Sequence, residues 1–202
     1  MEERCNSYVG PLTRRLCFPV VPPAVGMVKT GKAIGIYRYF LNFCTYGYTL
    51  AFWQWNEWQK LLDWMMLAGY NLVLNPLGNE SVWLLALERM GYTKEEVRQF
   101  LCSPTIYPWQ CMMNLTSWAG AAPEHWYEGR LQLSRQINEY LKSFGAGIVL
   151  PGWSGMVPAD FKAHFPESHP LDQGLWEGMK RPSLLLPEDP LFDVMADSYY
   201  AV

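Results

Sequence analysis

The sequence predicts an α/β chain built from parallel βα units. Three short apolar segments of the length of buried strands lie at about residues 38–44, 71–75 and 147–151. Between them lie segments of ten or more residues with apolar side chains at helical spacing. Short strands that alternate with longer helices are typical of a parallel sheet whose connections run through helices. The 202 residues show no internal repeat and no low-complexity segment.

Composition restricts the class of protein further. The chain is 50% hydrophobic and 17% charged, which suits one domain with a sizeable core and excludes ordinary disorder. The net charge of −3 provides no basic face for nucleic acid. The apolar runs are too interrupted to cross a bilayer. We therefore expect no nucleic-acid partner and no membrane span.

Aromatic side chains are more numerous than one core of this size needs, with ten Trp, twelve Tyr and nine Phe. Rings pack cores, line ligand clefts where they cover the C–H faces of sugars, and are common at protein interfaces. Composition alone leaves all three uses open. Trp58, Trp64 and Trp83 recur among apolar neighbours in predicted helices, so we expect them in the core.

The chain divides near residue 37. Residues 1–36 are rich in proline and glycine and lack periodicity, which predicts an irregular lead-in before a domain at 37–202. Prolines interrupt the apolar patch of the lead-in, so it is not a convincing signal peptide.

The predicted elements follow in order from Tyr37. Aromatic residues favour a strand at 38–44, and a glycine ends each of the first helices. Thr93 and Glu96 have the spacing of a capping box. The helices are predicted at Trp58–Ala68, Glu80–Met90, from Thr93 onward, at Pro123–Phe144 and Val157–Phe165, with a loop at 166–187 and a final helix into Tyr200.

Three strands are too few for a closed (β/α)₈ barrel, which has eight strands and typically about 250 residues. No GxGxxG follows the first strand, so a dinucleotide-binding fold has no support. We expect a partial barrel: the first three or four βα units, with long aromatic loops. The five Cys and three His show no CxxC or HxxxH spacing, so we predict no metal site and no cofactor.

Five ordered blocks carry a family resemblance. They are Arg38–Tyr48 (RYFLNFCTYGY), Gly78–Trp83 (GNESVW), Met113–Trp118 (MNLTSW), Val149–Pro158 (VLPGWSGMVP) and Leu186–Phe192 (LPEDPLF). Over about residues 38–194 the chain resembles the α-N-acetylglucosaminidases, family 89 of the glycoside hydrolases.

The resemblance implies a (β/α)₈ barrel and a retaining exo-glycosidase that removes terminal α-linked N-acetylglucosamine from glycans. Retention requires two carboxylates about 5 Å apart. In the family, the acid/base glutamate follows the block that matches Leu186–Phe192, and the nucleophile lies further on. Neither has a matching position here, so we expect a chain truncated before the catalytic glutamates and inactive alone. The alternative is a non-catalytic glycan-binding or orphan fragment of such an enzyme. The family suggests a secreted, periplasmic or lysosomal location.

The resemblance also implies substrate-binding residues, and no catalytic residue, in this chain. The substrate-binding residues are Asn42, Cys44, Tyr48, Glu80, Trp118 and Trp176. Position alone favours a structural interpretation of two of these residues, a strand-end amide for Asn42 and a buried thiol for Cys44. Glu80 is equally a carboxylate that stabilises a helix N-terminus.

Three positions depart from the family pattern. The family usually has Gly-Gln-Glu at 78–80 and Gly-His-Val-Pro at 155–158, and its loop around Trp176 is longer. We expect the change to Met156 to remove a polar group from the carboxyl-end face of the barrel and to weaken substrate positioning.

Overall fold

The computed structural model describes Gly26, Gly31 and residues 34–202. Most of the predicted lead-in at 1–36 therefore lies outside the described residues. The domain predicted at 37–202 lies inside them.

Three short strands form a parallel sheet in the order β1-β2-β3. They are β1 (Tyr39–Phe40), β2 (Leu72–Leu74) and β3 (Gly147–Val149), and Tyr39 lies beside Leu72 in the register. The predicted α/β class and the positions of the three strands are confirmed. Among the described residues this sheet does not close into a barrel.

The first strand is much shorter than the predicted 38–44. Leu41 adopts a left-handed backbone with φ of +72°, and Asn42 then caps a short helix, α1 (Phe43–Tyr46). Aromatic β-propensity depends strongly on context, and here the local cap at Asn42 outweighs it.

The other helices follow α1 along the chain. In chain order they are a 3₁₀ turn (Leu50–Phe52), α2 (Trp55–Leu67), α3 (Asn79–Arg89), α4 (Lys94–Phe100), α5 (Tyr107–Cys111), α6 (Glu124–Ser143), α7 (Phe161–His164) and α8 (Phe192–Tyr200). The capping box at the start of α4 is confirmed, because the Thr93 N–H donates to Glu96 Oε2 at 2.7 Å and the Glu96 N–H donates to Thr93 Oγ1 at 3.3 Å.

The last third of the chain differs most from the prediction. Two antiparallel pairs form there: β4 (Met156–Val157) with β7 (Ser183–Leu184), and β5 (Leu175–Trp176) with β6 (Met179–Lys180). The predicted helix at 157–165 is wrong in its first half, and the predicted loop at 166–187 contains three strands. All four strands have two residues each, too few to show periodicity in a sequence.

Gly155 allows the segment before β4 to lie close to the segment after β7. Gly155 has φ of +89°, and an added Cβ would lie 2.6 Å from the Leu185 carbonyl oxygen. The Leu185 N–H donates to the Gly155 carbonyl at 2.8 Å. A residue with a side chain at 155 would therefore clash with the segment after β7.

Two apolar clusters make up the core. One joins the sheet to α2 and α6 and contains the fully buried Trp58. The other joins α3, α4 and α8 and contains the buried Trp83. Core positions for these two rings are confirmed, whereas Trp64 is only partly buried at the edge of the first cluster.

Candidate functional site

The carboxyl ends of two of the three parallel strands, β1 and β2, lead into predicted site residues. Asn42, Cys44 and Tyr48 follow β1, and Glu80 follows β2. In parallel βα folds, ligands bind where these strand ends meet.

Asn42 is exposed and caps α1. Its Oδ1 accepts a hydrogen bond from the Thr45 N–H at 3.2 Å, and its carbonyl accepts one from Thr45 Oγ1 at 2.7 Å. The side-chain NH₂ makes no hydrogen bond to a described residue. Asn42 therefore has two donors available for a ligand.

Cys44 and Tyr48 connect this first segment to the region around α5. Cys44 is half-buried, and its Sγ lies 4.0 Å from Met112 Sδ. Tyr48 is 62% exposed, and its ring meets the Trp109 ring edge-on with centroids 6.2 Å apart. Gly47 makes this approach possible, because a Cβ there would lie 2.1 Å from the Trp109 ring.

Trp118 lies in the loop after α5. It is 46% exposed, and the residues on either side, Ser117 and Ala119, have left-handed backbones. Its main chain is fixed by two contacts: the Trp118 N–H donates to Cys102 Sγ at 3.5 Å, and its carbonyl accepts from the Ser103 N–H at 3.0 Å. The loop is thus held in place while the indole remains accessible.

Trp176 lies in the β5–β6 hairpin, half-buried. The hairpin packs on the same loop, because the Thr116 N–H donates to the Lys180 carbonyl at 3.0 Å. Arg181 Nε donates to the Met113 carbonyl, also at 3.0 Å. The loop around Met113 and Thr116 therefore lies between the hairpin and α5.

These contacts bring five of the six predicted residues onto connected segments. We call the set the rim surface: Asn42, Cys44, Tyr48, Trp109, Met112, Trp118 and Trp176. Trp109 and Met112 were not predicted. They could have been found only by knowing that α5 packs against α1.

Glu80 lies apart from the rim surface, in an adjoining pocket. The pocket has an empty volume of about 350 Å³, including space open to solvent. Its walls are mainly apolar, and its charged side chains are Glu80 and Arg130. The lining residues are Tyr46, Ala51, Pro76, Leu77, Glu80, Pro104, Tyr107, Pro108, Cys111, Trp126 and Arg130.

Burial controls the ionisation of Glu80. The side chain is 6% exposed, and desolvation raises its pKa to about 7, although its own backbone N–H and the Arg130 guanidinium act in the opposite direction. Arg130 was not predicted as part of a site. The signal in the sequence was a positive charge on the apolar face of α6, between the buried Tyr127 and Leu133.

Two of the three departures from the family pattern, at Asn79 and Met156, lie inside the core. Met156 is 3% exposed and packs in the cluster of α3, α4 and α8. We expected the change to Met156 to remove a polar group from an open face of the barrel. In the structure Met156 lies in an apolar interior instead. Asn79 is also buried, and it bonds to the hydroxyls of Tyr107 and Tyr199.

Two kinds of feature are absent from the described part of the chain. No group of three His, Cys, Asp or Glu side chains there could hold a metal ion. No helix within residues 34–202 has the length and apolarity to cross a membrane.

Polar and aromatic side chains at the carboxyl ends of parallel βα strands are typical of α/β-barrel enzymes. Comparison with known proteins agrees with this class and refines it. The model of the Alpha-N-acetylglucosaminidase (NAGLU) tim-barrel domain matches residues 38–202. The chain therefore belongs to the α-N-acetylglucosaminidase family.

Individual relatives are similar over nearly the whole chain. Human alpha-N-acetylglucosaminidase is 32% identical over 203 residues, which cover 98% of this chain and 27% of the human protein. A family 89 glycoside hydrolase from Clostridium perfringens in complex with 2-acetamido-1,2-dideoxynojirmycin is 38% identical, with a TM-score of 0.85 over 93% of this chain. A structure from the same organism with its substrate GlcNAc-alpha-1,4-galactose has a TM-score of 0.88 over 96% of this chain, at 38% identity. The chain spans about a quarter of the length of these relatives, 22% of each bacterial chain.

Proposed function

We propose that these residues form the first βα units of a (β/α)₈ barrel with α-N-acetylglucosaminidase activity. In this proposal the rim surface contributes part of the contacts to a terminal α-linked N-acetylglucosamine. The observation that carries the proposal is the fold match, at 38% identity, to a family 89 enzyme with GlcNAc-alpha-1,4-galactose bound. The placement of Asn42, Cys44 and Tyr48 directly after β1 supports it.

The rim surface suits a sugar in its chemistry. The free NH₂ of Asn42 can donate to ring hydroxyls. The exposed rings of Tyr48 and Trp118 can cover the apolar C–H face of a pyranose. Trp176 then closes one side through the hairpin that rests on the Met113–Thr116 loop.

We assign no catalytic role to residues in the described part of the chain. A retaining glycosidase needs two carboxylates about 5 Å apart. Glu80 is the buried acidic residue of the described part, and the charge that acts on it is the Arg130 guanidinium rather than a second carboxylate. We therefore assign binding, and not bond cleavage, to this part of the barrel.

The test is an NMR titration of the 202-residue polypeptide with N-acetylglucosamine. Part of a site buries only part of the sugar, so we expect a Kd no tighter than about 1 mM, equivalent to about −4 kcal/mol. The Trp118→Ala variant should lose the shifts centred on the rim surface. Phe144→Ala is the matched control, because Phe144 is an equally exposed ring at the far end of α6.

Two outcomes would contradict the proposal. Saturable binding that survives both Trp118→Ala and Asn42→Ala would place the sugar elsewhere. Hydrolysis of an aryl α-N-acetylglucosaminide that disappears in Glu80→Gln would make Glu80 catalytic.

A further inference from the structure

Arg130 is buried in a way that is rare for arginine. It is 6% exposed, whereas arginine is almost never fully buried unless it is paired. It projects from α6, the helix that leads into β3, and its guanidinium carbon lies 4.8 Å from the centre of the Trp126 ring. Its position needs an explanation beyond packing, because a neutral apolar side chain could cover that ring without the cost of desolvating a charge.

The guanidinium fixes the segment that follows the first rim residues. Nη1 donates to the Trp53 carbonyl at 2.6 Å and to the Ala51 carbonyl at 3.4 Å, and Nη2 donates to Gln54 Oε1 at 3.1 Å. Gln54 is also the cap of α2. Residues 51–54 lie shortly after Tyr48 in the chain. These three bonds therefore fix the position of the segment that follows the first rim residues.

The same guanidinium faces the second segment. Arg130 and Glu80 line one pocket, and Glu80 lies in the first turn of α3, after β2. Their charges attract, although no ion pair within 4 Å forms between them. Arg130 Nε is buried without a hydrogen-bond acceptor among the described residues, so part of its donor capacity remains unused.

A planar fork of several donors can make all three bonds to residues 51–54 at once while its charge faces Glu80. A lysine in this position would carry the charge, but it could not reproduce the fixed set of bonds to two carbonyls and an amide. Helix α6 thus holds the loop after β1 through one side chain, and the same side chain places a positive charge in the pocket that Glu80 lines after β2.

We propose that Arg130 is a positioning residue of the sugar site, which holds the segment after Tyr48 and the start of α3 at Glu80 in one fixed arrangement. The inference rests on the proposed function, because it assigns the sugar contacts to the rim surface. Arg130 itself does not touch the sugar.

The experiment compares Arg130→Gln and Arg130→Lys with Arg135→Gln, an exposed arginine on the same helix. Three quantities are measured on the 202-residue chain: amide exchange at Phe52, Trp53 and Ser81, the carboxyl NMR titration of Glu80, and the Kd for N-acetylglucosamine. In Arg130→Gln we expect exchange and Kd to rise at least about tenfold, since charge-assisted hydrogen bonds are lost. The Glu80 titration should move to higher pH, because its favourable charge is removed.

Arg130→Lys separates geometry from charge. It should weaken sugar binding and speed exchange while leaving the Glu80 titration near that of the wild type. If Arg130→Gln does not fold, the affinity of Arg130→Lys decides: weaker binding supports the proposal, and unchanged binding overturns it. Faster exchange with unchanged sugar affinity would also overturn it, because Arg130 would then be merely structural. If the wild-type chain binds no sugar, the proposed function fails. If amide exchange and the Glu80 titration are unchanged in the variants, the positioning role of Arg130 is rejected independently of sugar binding.

Discussion

Two neighbouring residues of α3 have opposite environments. The side chain of Asn79 uses both of its ends: its NH₂ donates to the Tyr199 hydroxyl at 2.6 Å, and its oxygen accepts from the Tyr107 hydroxyl at 2.5 Å. Glu80 is equally buried, but no other side chain hydrogen-bonds to its carboxyl group within the described part, and its pKa rises to about 7.

The difference separates a structural polar group from a candidate functional one. Asn79 links α3, α5 and α8, and its hydrogen-bonding capacity is taken up by buried tyrosines. Glu80 faces a pocket, and its own backbone N–H and Arg130 offset only part of the cost of its burial. Buried polar groups without partners concentrate at functional sites, whereas satisfied ones usually specify the fold.

The largest expected effect follows from breaking the Asn79 network. Asn79→Ala should reduce the free energy of unfolding by roughly 3 to 4 kcal/mol, because a buried cavity is created and the Tyr107 hydroxyl loses its acceptor. Urea denaturation checks this, with Asn56→Ala on the exposed face of α2 as the control. A loss below about 1 kcal/mol would mean that water replaces the amide.

Glu80→Gln tests the other side of the comparison through pH. An acid whose folded pKa is raised destabilises the folded state increasingly as pH rises from its unfolded value, 4.5, to its folded value, about 7. At about 1.4 kcal/mol for each pH unit, the full effect is about 3 kcal/mol. The stability of Glu80→Gln relative to wild type should therefore rise by up to that amount between pH 4.5 and pH 8.

Denaturation curves at several pH values measure this difference. Glu128→Gln, which removes an exposed carboxylate from α6, is the matched control. Equal pH profiles for wild type and Glu80→Gln would show that the carboxylate is relieved by water or by Arg130.

The sequence was sufficient to locate the strands of the parallel sheet, but not the end of β1 or the short strands elsewhere. Apolar runs at 71–75 and 147–151 located β2 and β3, because buried parallel strands show as continuous apolar segments. The end of β1 depends on the left-handed Leu41 and the cap at Asn42, which a propensity for extended aromatic residues cannot reveal. Strands β4 and β7 are defined by pairing between distant segments, so no local pattern marks them. Strands β5 and β6 form a hairpin, but two residues in each are too few to show an alternating pattern.

The candidate site shows the same division. Residues close to a strand end, such as Asn42 and Cys44, could be selected from the sequence because chain order alone places them there. Trp109 and Arg130 come from helices, and their relation to the site depends on how α5 and α6 pack. Glu80 was selected as a possible sugar contact, but its enclosure beside Arg130 depends on the same packing.

The smallest effect is expected at Ser81, the residue of α3 that follows Asn79 and Glu80. Its hydroxyl is buried and donates to the Tyr127 carbonyl at 3.3 Å. That carbonyl lies inside α6, where the helix supplies its main hydrogen bond, so Ser81→Ala leaves no group without a partner. Alanine also has the higher helix propensity. We expect Ser81→Ala to lower the free energy of unfolding by about 1 kcal/mol or less.

Ser143→Ala is the matched control, because its exposed hydroxyl also donates to a helix carbonyl, that of Tyr140. Urea denaturation should rank the losses as Asn79, then Ser81, then Ser143. A Ser81→Ala loss as large as that of Asn79→Ala would mean that burial of α3, rather than satisfaction of each polar group, controls the stability of this turn.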